Sequence, residues 1–65
     1  MEKEIKNIFK IKRELRILYN LEMKYVDLKN NNLIDSETLE KMRIISKIDE
    51  DLMTLIIDLQ NIKNS

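Results

Sequence analysis

Residues 30–39 read Asn-Asn-Asn-Leu-Ile-Asp-Ser-Glu-Thr-Leu, and this segment separates two long helical patterns. Asparagine tolerates the left-handed conformation that ends many helices, and the chain has no glycine for that position. Asp35 can cap a following helix because its side-chain oxygen can accept a hydrogen bond from a free N–H of the first turn. Ile34 and Leu39 hold the two positions of a hydrophobic staple, and Glu37 places negative charge in that turn. One helix therefore ends and another begins here.

The composition limits both the fold and the chemistry. A chain of 65 residues forms one small domain with a marginal core, which commonly needs a disulfide, a metal or oligomerisation for stability. Cys and His are both absent, which excludes the usual zinc and iron–sulfur sites and catalysis by either residue. Carboxylate binding of Mg²⁺ stays open, but we expect no cofactor. Gly and Pro are absent too, and 37% of the residues are charged, so the sequence predicts an all-α protein.

The periodicity predicts a first helix over about residues 3–29, a loop over 30–35 and a second helix over about 36–62. We expect the buried face of the first helix to comprise Ile8, Ile11, Leu15, Leu18, Tyr19, Tyr25 and Val26. The corresponding stripe of the second helix is Met42, Ile45, Ile48, Leu52, Leu55, Ile56 and Leu59. The apolar spacing drifts from a strict heptad, which favours a bundle over a long supercoil.

The apolar surface is wider than a single hairpin can bury. Ile17, Leu21 and Leu28 form a second strip beside the first, and Phe9 lies almost on the back of the helix, with Ile5 on the flank. Exposed apolar patches of this kind usually mark an interface. The sequence therefore predicts an antiparallel two-helix hairpin that dimerises into a four-helix bundle.

One acidic residue falls on the apolar face of the first helix. Glu22 lies between Leu18 and Tyr25, where a carboxylate must be paired, have a raised pKa or sit at a wet subunit seam. Pairing with a basic residue of the other helix is the favoured interpretation, with Lys41 as the candidate, and an acid–base role is the alternative.

Charge and hydropathy indicate where the chain acts. The formal net charge is zero, although residues 1–30 carry eight basic against five acidic residues and residues 31–65 carry four against seven. These opposite signs suit two helices that lie together, and a basic docking face on the first helix is the alternative. No apolar run approaches the roughly 20 residues of a membrane span, and the N-terminal residues lack the apolar core of a signal peptide. We expect a cytoplasmic protein that does not associate with membranes.

Two charged clusters are candidates for function. Residues 10–16 hold four basic side chains, but aromatic residues for stacking on bases are few, so nucleic acid is not the favoured partner. Asp49-Glu50-Asp51 is the densest acidic group, and its side chains point about 100° apart on a helix. They are interpreted as a solvated face, or alternatively as a site where Asp49 positions water or a metal-bound phosphate on a partner.

The hairpin also resembles a known family, the small aspartyl-phosphate phosphatases typified by the stage-zero sporulation regulatory protein E. The first helices of that family often carry an Ile followed by Leu-Arg and further leucines, similar to Ile11, Leu15-Arg16 and Leu18 here. Their second helices often begin with Leu-x-Asp-x-Glu, which resembles residues 33–37. The family signature Ser-Gln-Glu-Leu-Asp aligns without gaps on residues 42–46, where its Ser and Asp are missing. A four-residue shift aligns it with Ser46-Lys47-Ile48-Asp49-Glu50, which restores a serine and a final acid.

This resemblance implies a partner protein, the receiver domain of a response regulator that bears an aspartyl phosphate. Such a hairpin would position water in line with the phosphoryl group, and the receiver would supply Mg²⁺ and a lysine. The candidate catalytic residues are then Asp49 and Glu50. The candidate binding residues are Arg13, Arg16, Ile17, Leu21, Arg43 and Ser46.

Two functions without catalysis are alternatives to this hypothesis. The chain can be a homodimeric four-helix adaptor, with RNA binding as one variant, or a phage- or plasmid-type inhibitor that blocks a host protein through its apolar strips. Receiver dephosphorylation would favour the first hypothesis, whereas a salt-sensitive shift of RNA would favour the adaptor. Capture of a host enzyme without turnover would favour the inhibitor.

Overall fold

A computed structural model describes residues 1–29 and 34–65. The described chain consists of two α-helices that pack against each other, α1 over Glu2–Leu28 and α2 over Ser36–Lys63, with no strand in the described residues. This confirms the all-α prediction. The asparagine turn predicted at residues 30–33 lies outside the described residues.

The first turn of α2 is capped as the sequence predicts. The Oδ1 atom of Asp35 accepts a hydrogen bond of 2.7 Å from the backbone N–H of Thr38. Asp35 itself is extended at φ −71° and ψ 166°, so its side chain can fold back over the free N–H groups of the helix. This bond holds the pKa of Asp35 below its ordinary value, with a smaller contribution from Lys29, whose Nζ lies 3.7 Å from Oδ2 of Asp35.

The two helices run antiparallel, and ion pairs connect them near each end and near the middle. Lys63 at the end of α2 binds Glu2 at the start of α1, at 2.6 Å. Lys12 binds Asp49 at 2.7 Å halfway along the hairpin. The pKa of Glu2 is lowered, chiefly by its hydrogen bond with Lys63.

The residues that α1 and α2 turn toward each other follow a strict alternation of three- and four-residue steps. We call this set the seam. On α1 it comprises Ile5, Ile8, Lys12, Leu15, Tyr19, Glu22 and Val26. On α2 it comprises Thr38, Met42, Ile45, Asp49, Leu52, Ile56 and Leu59. Every other described residue is exposed. This is the heptad spacing of a coiled coil, so the expectation of a drifting pattern was wrong.

The buried face of α1 is displaced around the helix from the face that the sequence predicts. Ile11, Leu18 and Tyr25 were expected in the core, but Tyr25 is 49% exposed and the other two are similarly exposed. Ile5 was placed on the flank and is buried instead. The apolar surface of α1 is therefore wide, and α2 covers the edge that contains Ile5 and Lys12.

The same correction applies to α2, where Ile48 and Leu55 were expected in the core and are both largely exposed. The best-packed cluster lies toward the ends of the chain, where Ile5 and Ile8 meet Ile56, with Leu52 and Leu59 packed against them. Ile56 is 1% exposed, the most completely buried side chain described.

Candidate binding surfaces

An ion pair interrupts the apolar seam at its centre. The Nζ atom of Lys12 donates to Oδ1 of Asp49 at 2.7 Å and to the backbone carbonyl oxygen of Asp49 at 3.2 Å. The Lys12 side chain is only 17% exposed, whereas that of Asp49 is 47% exposed. The packed helices thus surround the ammonium more than the carboxylate, and Asp49 also lines the groove described next.

A groove lies beside this ion pair, and we call it the central groove. It has a volume of about 320 Å³ and is lined by Leu15, Arg16, Tyr19, Ile45, Ser46, Asp49 and Glu50. Four of the predicted site residues, Arg16, Ser46, Asp49 and Glu50, therefore share one depression. Its rim offers a guanidinium, a hydroxyl and two carboxylates, and its walls are apolar or aromatic. This arrangement can accept hydrogen bonds and donate them to a polar group on a partner surface.

The acidic triplet does not act as one cluster. Asp49 points into the seam, while Asp51 pairs with Lys47 at 3.0 Å on the exposed side of α2. Glu50 lies between them at the rim of the central groove. Among residues 1–29 and 34–65, no group of three or more acidic side chains lies close enough to hold a metal ion.

Two predicted binding residues lie outside the central groove. Arg13 is exposed on α1 and does not line the groove. Arg43 forms a bidentate ion pair with Glu40 one turn earlier, with Nη2 at 2.7 Å from Oε1 and Nε at 3.1 Å from Oε2. This contact lowers the pKa of Glu40 and raises that of Arg43. Because the pair is exposed, a partner carboxylate or phosphate could replace Glu40 at little cost.

The other two predicted binding residues lie on a different side of the hairpin. Leu21 follows Arg16 by five residues, which is a rotation of about 140° around α1 at about 100° per residue. Ile17 lies on the back of α1, between these two directions. Arg16 lines the central groove, whereas Leu21 lines a second groove. The six predicted binding residues therefore do not form one surface.

The second groove lies at the end of the hairpin near the cap of α2, and we call it the turn groove. Its volume is about 280 Å³, and its lining includes Glu22, Tyr25, Lys29 and Lys41. Lys29 places its Nζ 4.5 Å from the centre of the Tyr25 ring, a cation–π distance. The pKa of Lys29 is raised, chiefly by Tyr25 and then by Asp35.

Glu22 is partly buried in the seam, but Lys41 pairs with Glu37 at 3.6 Å instead. Glu22 forms no ion pair with any residue of 1–29 or 34–65. The predicted pairing with Lys41 was therefore wrong.

The side of the hairpin that carries the turn groove also carries most of the exposed apolar residues of α1. Five of them, at positions 11, 18, 21, 25 and 28, follow the same three- and four-residue steps as the seam. Glu14 occupies the remaining position of this series. We call the six residues the stripe: Ile11, Glu14, Leu18, Leu21, Tyr25 and Leu28. Each of these residues is exposed, so α2 does not cover the stripe. A helix with two adjacent seams is typical of a bundle with more than two helices.

Neither helix in the described part of the chain has an apolar stretch long enough to cross a lipid bilayer. Comparison with protein-family models, with curated proteins and with solved structures finds no match for this chain. The two grooves, the stripe and the ion pairs are therefore the features from which a function can be inferred.

Proposed function

We propose that this chain is a small regulatory hairpin that binds another protein through the central groove. The observation that supports this proposal is the convergence of Arg16, Ser46, Asp49 and Glu50 at one depression. These four residues come from both helices, so the groove exists only when the hairpin is folded. A surface loop that carries a polar or anionic group fits such a site, because Arg16 can donate two hydrogen bonds to a carboxylate or a phosphoryl group.

The resemblance to the aspartyl-phosphate phosphatases supplies the proposed partner, a phosphorylated receiver domain. In this proposal Arg16 contacts phosphoryl oxygens and Glu50 orients a water molecule for in-line attack on phosphorus. The P–O bond to the receiver aspartate breaks as the bond from water to phosphorus forms, which leaves a free aspartate and inorganic phosphate. The proton of the water passes to solvent or to the departing phosphate. The receiver supplies its own Mg²⁺ and lysine.

The central ion pair divides the roles of the two candidate catalytic acids. Lys12 already engages one oxygen of Asp49, so we assign Asp49 to holding the groove in shape. Glu50 forms no ion pair with another residue of the described ranges, so it is the acid available to water. The proposal therefore places catalysis on Glu50 and positioning on Asp49.

The test uses a panel of purified receiver domains phosphorylated with acetyl phosphate and then freed of the donor. The hairpin is added, and the release of inorganic phosphate is followed together with binding. We expect Arg16→Ala to weaken binding and Glu50→Gln to slow release by 10-fold or more at unchanged binding. Arg13→Ala is the matched control, since Arg13 is basic and exposed on the same helix but outside the groove.

The absence of binding to every receiver in the panel would contradict the proposed partner. Full activity of both groove variants would contradict the proposed site.

Binding without phosphate release is the second candidate function. The observation that favours it is that Asp49 and Arg43 are already engaged by Lys12 and Glu40, which leaves few free groups for chemistry. In that case the hairpin would bind the receiver and block its other contacts. Saturable binding with an unchanged lifetime of the aspartyl phosphate would select this candidate.

A further inference from the structure

The stripe on α1 is self-complementary when it is read in opposite directions. Its residues occupy positions 11, 14, 18, 21, 25 and 28. If a second α1 is laid antiparallel with its centre between positions 18 and 21, the residue pairs that come level are 11 with 28, 14 with 25 and 18 with 21. Ile11 then meets the second copy's Leu28, and Leu18 meets the second copy's Leu21. Two-fold symmetry repeats each contact.

We infer that the stripe is the contact surface for a second copy of this chain, with the two α1 helices antiparallel. The apolar pairs stack in consecutive layers, as heptad packing requires. The stripe lies roughly a third of a turn around α1 from the seam at about 100° per residue, so each α1 would pack against its own α2 and against the other α1. The product is a four-helix bundle whose two-fold axis passes between the two α1 helices, at the level of Leu18 and Leu21.

The one polar residue of the stripe also finds a complementary group in this arrangement. Glu14 is exposed and forms no ion pair with another residue in the described ranges. It comes level with the second copy's Tyr25, whose ring carries the ammonium of Lys29 at 4.5 Å. The carboxylate of Glu14 therefore faces a tyrosine hydroxyl and a positive charge. A parallel arrangement would instead place Glu14 beside the second copy's Glu14, where like charges repel.

The contact is small compared with the interfaces of stable dimers. The 18 residues from Ile11 to Leu28 span about 25 Å, because 17 steps of roughly 1.5 Å separate the first from the last. A helix with its side chains is roughly 10 Å across, so the contact between the two α1 helices covers about 250 Å² of each copy. This is about a third of the roughly 800 Å² per partner of a standard stable interface. We therefore expect a weak, reversible dimer that forms between about 1 µM and 1 mM.

This inference concerns the side of the hairpin that carries the turn groove and does not depend on the partner of the central groove. The two surfaces can be occupied together, because Arg16 and Leu21 point away from each other. A monomeric protein that still binds a receiver would refute the dimer and leave the proposed function intact. A dimer that binds no receiver would do the reverse.

The first experiment measures mass in solution from about 1 µM to 1 mM by analytical ultracentrifugation. We expect the 7.9 kDa chain to reach twice that mass as the concentration rises. Leu18→Glu places two charges near the two-fold axis and should weaken the dimer by 100-fold or more.

Met53→Glu is the matched control. Met53 is 42% exposed against 45% for Leu18, but it lies one heptad beyond Ser46, on the side of the central groove. This variant should dimerise like the wild type, and far-UV circular dichroism should show the same helix content for all three proteins.

The second experiment uses the absence of cysteine from the chain to read the orientation. A mixture of Ile11→Cys and Leu28→Cys should form a mixed disulfide between two chains on oxidation. Ile11→Cys alone should not cross-link, because the two positions 11 would lie about 25 Å apart at roughly 1.5 Å per residue. A chain that stays monomeric at 1 mM, a dissociation constant that Leu18→Glu leaves unchanged, or efficient cross-linking of Ile11→Cys alone would each overturn the inference.

Discussion

Removal of Lys12 and removal of Asp49 should lower the free energy of unfolding by different amounts, because the two paired side chains differ in exposure. At 2.7 Å and an effective dielectric constant of about 20, their direct attraction is on the order of 6 kcal/mol, most of which the loss of hydration offsets. Fully buried pairs cost about 3–5 kcal/mol when one partner is removed, and exposed pairs contribute about 0.2–1 kcal/mol. With Asp49 at 47% exposure, we expect a coupling of about 1 kcal/mol.

The single substitutions should therefore rank in a definite order. Asp49→Asn leaves the 17% exposed ammonium of Lys12 without a counter-charge and should lower the free energy of unfolding by about 1–2 kcal/mol. After Lys12→Met, the more exposed Asp49 carboxylate stays hydrated and the methionine adds apolar surface to the seam. This variant should therefore lower the free energy of unfolding by less than about 0.5 kcal/mol. The double variant has no unpaired ammonium, so its loss of unfolding free energy should be smaller than that of Asp49→Asn alone.

The assay is urea unfolding followed by circular dichroism at several protein concentrations, so that any contribution from the dimer can be separated. The matched control is the pair Lys47–Asp51, at 3.0 Å and with both side chains more than 60% exposed. Its double-mutant cycle should give the small coupling of a fully exposed pair. A coupling for Lys12–Asp49 no larger than this control, or a greater loss for Lys12→Met than for Asp49→Asn, would refute the reasoning.

Three further predictions concern the core, the cap and the seam. Ile56→Ala should lower the free energy of unfolding by about 2–5 kcal/mol, because Ile56 is the most deeply buried side chain of the described residues. Circular dichroism should then show a largely unfolded chain at 25 °C, and a loss below about 1 kcal/mol would contradict the packing. Asp35→Ala should lower the thermal midpoint at pH 7, since it removes the hydrogen bond from Thr38. Because folding lowers the pKa of Asp35, the bond stabilises fully above the ordinary pKa of about 3.8 and is lost as the pH falls through the folded value. Equal midpoints of the variant and the wild type at pH 7 would count against the cap. Glu22→Leu should raise the free energy of unfolding by about 1 kcal/mol, since it places an apolar side chain in the seam without breaking an ion pair of the described residues; a decrease in urea unfolding would show that Glu22 has a stabilising partner.

The fold class and the cap of α2 could be predicted from local chemistry. A chain without Gly and Pro and with long amphipathic patterns has little alternative to helices. Asp35 meets the requirement of a cap within four residues of its own position, so the prediction needs no knowledge of the rest of the fold.

The phase of the seam could not be predicted from apolar residues alone. The apolar surface of α1 is wide, and a helical wheel does not show which edge of it α2 covers. The covered edge contains Lys12 and Glu22, whereas the uncovered edge contains Ile11, Leu18 and Tyr25. A search for the most apolar face therefore selects the uncovered edge. The signal that would have identified the covered edge is a pair of opposite charges. Lys12 lies in the three- and four-residue spacing of α1 and Asp49 in that of α2, and antiparallel packing brings the two level with each other.

The candidate site was predicted in part. The resemblance pointed to Arg16, Ser46, Asp49 and Glu50, and the antiparallel packing brings these four to one groove. It could not reveal that Asp49 is held by Lys12, because that contact joins residues 37 positions apart. Ile17 and Leu21 were assigned to the same surface on hydrophobicity, which carries no information about direction around the helix.

The central claim is that α1 folds back on α2 of the same chain and leaves the stripe of α1 uncovered. Isotope-filtered NOE spectra of a mixture of labelled and unlabelled protein test both parts at once. Contacts between the methyl groups of Ile5 and Ile56 should arise within one chain only. Contacts between Ile11 and Leu28, which lie about 25 Å apart on one helix at roughly 1.5 Å per residue, should arise between chains only. Ile5–Ile56 contacts that appear only between chains, or that are absent from a helical sample, would contradict the account.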